Sequence, residues 1–160
     1  SFVSLPYRRV CFDKPDLDWV FDGIDDKDAL TLGDYGFSGH GAAGFELDRI
    51  DPQSIHNKKH DDGYGITILA QSMPDEGVPP KFVLVPEEWL THLTTVSGSS
   101  EKEAKRADMI YWKLKGGGQV FSTGSICFCG SLPWNNFDNS ISKLLENVIY
   151  KFSASNNGDD

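Results

Sequence analysis

The sequence has few cysteines, few basic residues and no long apolar run. Of its 160 residues three are cysteines, and two of these, Cys127 and Cys129, stand one residue apart. This arrangement does not make a disulfide framework, so we expect a reducing compartment and a cytoplasmic location. No apolar run approaches the roughly 20 residues of a membrane-spanning helix, and the first residues lack the pattern of a signal peptide.

The shortage of lysine and arginine gives the chain an acidic balance. The 15 basic residues stand against 24 acidic ones, which leaves a net charge of -9. Because phosphate binding needs clustered Lys and Arg, this balance argues against a nucleic-acid partner. Many aspartates crowd one early segment: Asp13, Asp16, Asp18, Asp22, Asp25, Asp26, Asp28 and Asp34. Their spacing matches no EF-hand loop, so we interpret them as a solvated acidic face, with a partner-facing surface as the alternative.

The length and the apolar fraction of 39% indicate one globular domain with its own core. Residues 65–72 form a near-continuous apolar run, which is typical of a strand buried on both faces of a parallel sheet. Residues 81–85, 107–114 and 119–122 are further strand candidates, and the last two are close enough along the chain to pair as neighbours. A proline and two carboxylates open a predicted helix at residues 86–95.

A second helix is predicted from residue 139 to residue 152. Its apolar residues fall at i, i+3, i+4, i+7, i+8 and i+11, as one stripe: Ile141, Leu144, Leu145, Val148, Ile149 and Phe152. Asp138, Asn139 or Ser140 can cap its first turn. A strand, a loop of small residues and then a helix make the building unit of a layered α/β domain. In such domains ligands bind where strands end, which points to the loop at residues 122–134.

The chain divides by composition into three parts. Residues 1–36 carry scattered apolar residues among aspartates, and we interpret them as an irregular segment with one short strand near residues 19–21. Residues 37–152 form the α/β domain, and residues 153–160 are a disordered polar tail. Residues 1–36 show only a weak pattern for the first strand and the covering helix that such a sheet needs. The chain also opens without an initiating Met. We therefore expect a layered α/β fold that is incomplete at its N-terminus.

Glu46 and His40 are the candidate catalytic residues. Glu46 stands between Phe45 and Leu47, and a carboxylate held against apolar neighbours can exchange protons near neutrality. In the alternative interpretation Glu46 pairs with Arg49 one helical turn further on and has a structural role. His40 lies in the preceding glycine-rich stretch, where it can hydrogen-bond a substrate carbonyl, orient Glu46 or have only a structural role.

Ser122, Thr123 and Ser125 are the candidate substrate-binding residues. Their hydroxyl and amide groups lie on a loop of small residues, where they can form a nest for an anion or a carbonyl oxygen. No G-x-S-x-G elbow surrounds any of them, so serine hydrolysis is disfavoured.

We predict no metal site in this chain. Cys127 and Cys129 are too close together and lack the further ligands of a zinc site. His56 and His60 are four residues apart, but the polar residues around them favour a loop, and the pattern offers no third ligand. The sequence names no histidine partner for Cys127 as a nucleophile, so packing is its expected role.

Two stretches taken together resemble a known family. GDYGFSGHGAAGFELDRID is followed much later by RADMIYWKLKGGGQVFSTGSICFCGSLPWNNFDNSISKLLENVIYKF. The shared pattern is G-D-[FY]-G, G-A-A-G-x-E-[IL]-D-R, R-A-D-M, G-G-x-V-F-S-T-G-S-I and a D-N helix start. Over most of residues 19–152 the chain resembles the C-terminal region of the N,N-dimethylformamidase large (beta) subunit family.

The resemblance implies part of an amide hydrolase that splits small N-substituted formamides into formate and an amine. Members of the family look like enzymes with a mononuclear iron held by tyrosine and glutamate side chains. These ligands are expected upstream of the present chain, which would therefore not bind the iron alone. Glu46 matches the glutamate of G-A-A-G-x-E and is carried over as an acid/base or substrate-orienting residue. The implied partners are the remainder of the large subunit and a small subunit.

The resemblance also implies a fold similar to that of class I glutamine amidotransferases, a flavodoxin-like α/β layer structure. Glutaminase chemistry is not implied, because the G-x-C-x-G elbow would need a glycine where Cys127 stands. Two other functions stay open. The chain can be a non-catalytic scaffold or subunit-interface module that docks through its acidic segment. It can also be a carbohydrate- or small-molecule-binding domain, which Trp89 and Trp134 suggest.

Overall fold

The structure is a computed structural model that describes residues 4–37, 41–50, 65–72, 106–114 and 116–154. The strands of this part of the chain are β1 (Ser4–Leu5), β2 (Arg8–Arg9), β3 (Ala43–Gly44), β4 (Thr67–Ser72), β5 (Ala107–Lys113) and β6 (Gln119–Ser122). Its helices are α1 (Asp26–Ala29), α2 (Cys127–Ser131) and α3 (Ser140–Ala154), with a 3₁₀ helix at Pro15–Phe21 and a turn with positive φ angles at Trp134–Phe137. This mixture of helix and sheet is consistent with the predicted α/β class.

A four-stranded sheet in the order β2-β4-β5-β6 forms the centre of the described fold. β5 and β6 pair directly, with Ile110 opposite Ser122, which confirms that these strands are neighbours. β4 is a strand as predicted, but the expectation of a parallel sheet is wrong here, because β2 and β5 both run antiparallel to β4. A continuous apolar run reports burial by the layers above and below a strand, and burial does not set the direction of the adjacent strands.

Residues 4–36 contribute strands to two sheets and side chains to the core. β2 is an edge strand of the four-stranded sheet, and β1 pairs with β3 in a separate two-stranded sheet. The strand expected near residues 19–21 is wrong, because Pro15–Phe21 is a 3₁₀ helix. Its buried residues are Leu17, Val20 and Phe21. Their spacing of i, i+3 and i+4 is helical, and the proline suits the first turn, where its missing N–H would have no helical partner.

The early aspartates whose side chains the structure describes are all exposed, as expected of a solvated acidic face. Two of them also have local partners. The Asp25 carboxylate accepts a hydrogen bond of 2.8 Å from the Asp28 N–H and caps α1. Asp18 forms an ion pair with Arg9 on β2, which ties the 3₁₀ helix to the edge of the sheet.

α3 confirms the predicted C-terminal helix. The Asn139 side chain accepts a hydrogen bond of 2.9 Å from the Ser142 N–H, so Asn139 is the residue that caps the first turn. Ile141, Leu144 and Val148 are buried as the stripe predicts, whereas Ile149 is 56% exposed. The stripe is wider than the surface that α3 packs against, so its edge faces solvent. The helix continues through Ala154, and residues 155–160 lie outside the described part of the chain.

One hydrophobic core joins the N-terminal segment, the sheet and α3. Its largest fully buried apolar side chains are Tyr7, Leu32, Leu69, Met109, Ile141 and Leu144. None of the helices in the described ranges is long and apolar enough to cross a membrane. Several predicted features lie outside the described residues: His40, His56, His60, Trp89, the strand at residues 81–85 and the helix at residues 86–95.

Candidate functional site

The segment from residue 44 to residue 50, called here the crossing segment, passes over the ends of β5 and β6. The Asp48 N–H donates to the Gly124 carbonyl at 2.8 Å, and the Asp108 N–H donates to the Asp48 carbonyl at 2.9 Å. Gly124 has a φ of +68°, and a Cβ there would lie 2.5 Å from the Asp108 carbonyl oxygen. Only glycine allows the three backbones to approach so closely.

Ser125 holds the start of the crossing segment. Its hydroxyl donates to the Gly44 carbonyl at 2.5 Å and accepts from the Gly44 N–H at 2.6 Å. A serine hydroxyl has one hydrogen to donate, so these two contacts use that hydrogen and one of its acceptor sites. Both contacts are made to Gly44, a residue of β3. We call this pair of hydrogen bonds the Ser125 clamp.

Glu46 follows a tight turn that begins at the clamped residue. The Glu46 N–H donates to the Gly44 carbonyl at 3.0 Å, and Phe45 between them has a φ of 70°. A hydrogen bond from residue i+2 to residue i around a positive φ is the arrangement of the rarer, strained kind of γ-turn. Such a conformation costs about 1–3 kcal/mol and persists only where the surroundings enforce it.

Glu46 itself is exposed, as is Phe45. The shielding by apolar neighbours that the sequence suggested is therefore absent from the described fold, because the turn directs the segment out of the core. The alternative role for Glu46, pairing with Arg49, stays a prediction.

Asp108 anchors the other end of the crossing segment. Its side chain is fully buried, accepts from the Ile50 N–H and from Gln71 Nε2 at 2.9 Å each, and lies 2.8 Å from Arg106 Nε. A second guanidinium nitrogen of Arg106 donates to it at 3.1 Å. The buried charge is thus paired and hydrogen-bonded on both oxygens, which offsets the cost of removing it from water.

Tyr7 lies in the core and contacts the loop that carries Thr123 and Ser125. Its ring is fully buried, and its hydroxyl donates to the Thr123 carbonyl at 2.5 Å. Burial raises the pKa of Tyr7 far above its usual range, with the nearby Ser125 hydroxyl acting in the opposite direction. The hydroxyl therefore stays protonated at neutral pH and remains a hydrogen-bond donor.

The structure brings together some of the predicted site residues. Ser122, Thr123 and Ser125 are all half-buried, with Ser122 at the end of β6 and the other two on the loop that follows. The Thr123 hydroxyl donates to the Ser125 carbonyl at 3.2 Å. Ser125 contacts the residue from which the turn to Glu46 begins. His40 lies outside the described residues, so its position relative to Glu46 stays a prediction.

Sequence reasoning missed the roles of Tyr7 and Asp108. Asp108 belongs to the R-A-D-M motif, so the family resemblance marked this position. Nothing in the local pattern predicted that its side chain is buried or which residues it bonds. Tyr7 carried no comparable signal, since it looked like one of several apolar residues in an irregular segment.

The described residues contain no group of three or more His, Cys, Asp or Glu side chains that could hold a metal ion. The two tyrosine hydroxyls of the core are also engaged, that of Tyr7 by the Thr123 carbonyl and that of Tyr111 by Gln119 at 2.6 Å. Those two hydroxyls are therefore already in use as hydrogen-bond donors in the folded chain.

A separate groove of about 650 Å³ runs along the outer face of α3. Its apolar lining residues are Leu132, Phe137, Leu145, Ile149 and Tyr150. None of the predicted site residues lines it. Elsewhere Trp134 stacks on Tyr35 and meets Phe37 edge to face, with ring centroids 5.9 and 5.5 Å apart.

Comparisons with known proteins identify the same family that the sequence motifs indicated. Residues 2–139 match the family model described as N,N-dimethylformamidase beta subunit-like, C-terminal. The chain is 36% identical over 134 residues to the N,N-dimethylformamidase beta subunit of Paracoccus aminophilus and 34% identical over 134 residues to that of an Alcaligenes species. These alignments cover 84% of this chain and 16% of each relative. The chain thus spans about a sixth of their length, and it belongs to the N,N-dimethylformamidase beta subunit-like, C-terminal family.

Proposed function

We propose that this chain is the part of an amide hydrolase that supplies an acid/base glutamate and the loops of a pocket. The substrates are small N-substituted formamides, which are split into formate and an amine. The name of the two relatives supports this reaction. The turn at Glu46 supports the assignment of Glu46 as the acid/base residue. The observation that carries the proposal is an exposed carboxylate at the end of a strained turn, anchored on a buried network.

In the proposed reaction Glu46 handles the proton of the attacking water. Its carboxylate accepts that proton as the water oxygen bonds to the formamide carbon, and it returns the proton to the amine nitrogen as the C–N bond breaks. The atoms balance, because one water and one formamide give one formic acid and one amine. The Ser122–Ser125 loop faces the substrate, with His40 as a second group that can hold the carbonyl or orient Glu46.

Iron belongs to the proposal as a group that this chain does not hold alone. Its tyrosine and glutamate ligands would come from parts of the assembly outside the described residues, together with the remainder of the large subunit and a small subunit. When bound it would supply Lewis-acid chemistry at the substrate. The finer fold assignment, a flavodoxin-like layer structure similar to class I glutamine amidotransferases, and a cytoplasmic location are proposed on the same resemblance.

The test is Glu46→Gln in the complete enzyme assembly, with amine release from N,N-dimethylformamide as the readout. We expect kcat to fall by roughly 100-fold or more, as for the loss of a general acid/base, while the iron content stays at the wild-type level. Glu146→Gln is the matched control, because Glu146 is an exposed glutamate on α3 that pairs with Lys143. Full activity of Glu46→Gln contradicts the proposal.

A second candidate function is a non-catalytic subunit-interface module. The exposed rings of Tyr35, Phe37 and Trp134 favour it, because aromatic clusters at a surface are typical of protein interfaces. It predicts that Trp134→Ala disrupts the assembly and that Glu46→Gln is as active as wild type. The two experiments together separate the two functions.

A further inference from the structure

We infer that Ser125 is a positioning residue whose hydroxyl fixes the Gly44 peptide and so holds the turn that presents Glu46. This inference rests on the proposed function, since it assigns a role relative to the acid/base residue. It differs from the expectation that Ser125 binds substrate, because the clamp already uses the only hydrogen of its hydroxyl.

The Gly44 carbonyl links the Ser125 clamp to the turn at Glu46. It accepts two hydrogen bonds, one from the Ser125 hydroxyl at 2.5 Å and one from the Glu46 N–H at 3.0 Å. A carbonyl oxygen has two lone pairs, so both are in use. The clamp fixes the direction of this oxygen, and the turn to Glu46 closes on the same atom.

The turn itself is strained at Phe45. The φ of 70° at Phe45 is unfavourable for a residue with a side chain, and the turn relaxes unless its ends are held. At one end the Ser125 hydroxyl holds both the N–H and the C=O of Gly44. At the other end the Asp48 N–H is bonded to Gly124, one residue before Ser125. Both ends of the strained stretch are therefore held by the same loop.

The loop that carries Ser125 is held by hydrogen bonds of its own. The buried Tyr7 hydroxyl donates to the Thr123 carbonyl, and the Thr123 hydroxyl donates to the Ser125 carbonyl. The loop follows directly from β6, which is paired with β5 in the central sheet. The clamp thus connects the exposed Glu46 to a loop that is bonded to the buried Tyr7 and continuous with the central sheet. Precise placement of a reacting group matters, because a shift of 1 Å can lower a rate by roughly 100-fold.

The experiment compares Ser125→Ala with Ser142→Ala in the complete assembly. Ser142 is a matched control, because its hydroxyl also donates to a backbone carbonyl, that of Leu132, at 2.5 Å, and it lies on α3. We expect Ser125→Ala to lower kcat by roughly 10- to 100-fold with KM within about twofold of wild type, and Ser125→Thr to restore most of the loss. Ser142→Ala should leave kcat unchanged.

Hydrogen exchange provides a readout that does not depend on activity. In Ser125→Ala the peptide that contains residues 43–48 should exchange its amides roughly 10-fold faster, because the turn opens more often, and Ser142→Ala should not change it. If Ser125→Ala does not fold, Ser125→Cys replaces it, since a thiol is a weaker donor, and a smaller change in the same direction is expected.

The outcomes separate this inference from the proposed function. If Glu46→Gln is inactive while Ser125→Ala has wild-type kcat and exchange, the positioning role is overturned and the proposed function stands. A rise in KM alone for Ser125→Ala also overturns it, since that result assigns Ser125 to substrate binding. If Glu46→Gln is fully active, the proposed function fails, and unchanged kcat in Ser125→Ala then removes the positioning role with it.

Discussion

Removing the Asp108 carboxylate tests whether the buried network holds the crossing segment. The side chain has no exposure, and its two oxygens accept hydrogen bonds from the Ile50 N–H, the Gln71 amide and Arg106 Nη2, with Arg106 Nε at ion-pair distance. Asp108→Ala leaves these donors without an acceptor and leaves Arg106, whose side chain is 12% exposed, without its counter-charge. Breaking a buried pair from one side costs about 3–5 kcal/mol, and we expect the free energy of unfolding to fall by that amount.

Equilibrium urea unfolding measures this change. The midpoint should move to lower urea with an unchanged slope, because the surface exposed on unfolding is nearly the same. Asp108→Asn keeps one acceptor oxygen but turns an NH₂ group toward donors, so it should be only slightly less destabilising. Asp138→Ala removes an exposed aspartate and should stay within about 0.5 kcal/mol of wild type.

A double-mutant cycle with Arg106→Met identifies the source of the loss. If the ion pair carries it, the double variant should be more stable than the sum of the single losses predicts, by about 1–3 kcal/mol. The reasoning is refuted if Asp108→Ala lies within about 1 kcal/mol of wild type, or if the two losses simply add. A small loss for Asp108→Ala would mean that the crossing segment is held by its backbone contacts alone. Additive losses would mean that the bonds of Asp108 to Ile50 and Gln71, and not the ion pair, carry the loss.

Two further predictions follow from burial at other positions. Burial raises the pKa of Cys11, and Cys127 is also buried while Cys129 is exposed, so iodoacetamide should label Cys129 in the folded protein and the other two only after denaturation. Peptide mass spectrometry checks this, and early labelling of Cys11 would contradict it. Burial also raises the pKa of Tyr7, so above a pH of about 10 the unfolded state loses this proton first and the free energy of unfolding falls as the pH rises. In denaturant titrations Tyr7→Phe should make this decline with pH shallower. It should also lower the free energy of unfolding at neutral pH by about 1 kcal/mol, because the hydrogen bond to Thr123 is lost. An equal decline in both proteins would contradict the assignment of the decline to the buried Tyr7 hydroxyl.

Local patterns predicted the elements that depend on neighbours in sequence. The stripe of α3 follows from a period of 3.6 residues, and its cap at Asn139 needs only a side chain three residues before an N–H. The pairing of β5 with β6 was predictable because a short glycine-rich link favours neighbouring strands. The 3₁₀ helix shows the limit of this reasoning, since its helical spacing was present in the sequence and scattered aspartates obscured it.

The direction of the strands around β4 was not predictable from its composition. A run of apolar residues is buried equally well between parallel or antiparallel neighbours, because the side chains respond to the layers above and below. Which strand lies beside β4 depends on the path of the whole chain. β2, which borders β4, comes from a segment that composition alone assigned to irregular structure.

The sequence by itself determined the candidate glutamate, the small-residue loop and the family resemblance, because these are carried by motifs of contiguous residues. The tertiary structure decided what holds them together. The Ser125 clamp joins residues 81 apart, Asp108 reaches Ile50 58 residues away, and Tyr7 reaches Thr123 116 residues away. A hydrogen bond between distant residues imposes no period and no local composition on either partner, so such contacts exist only once the chain has folded.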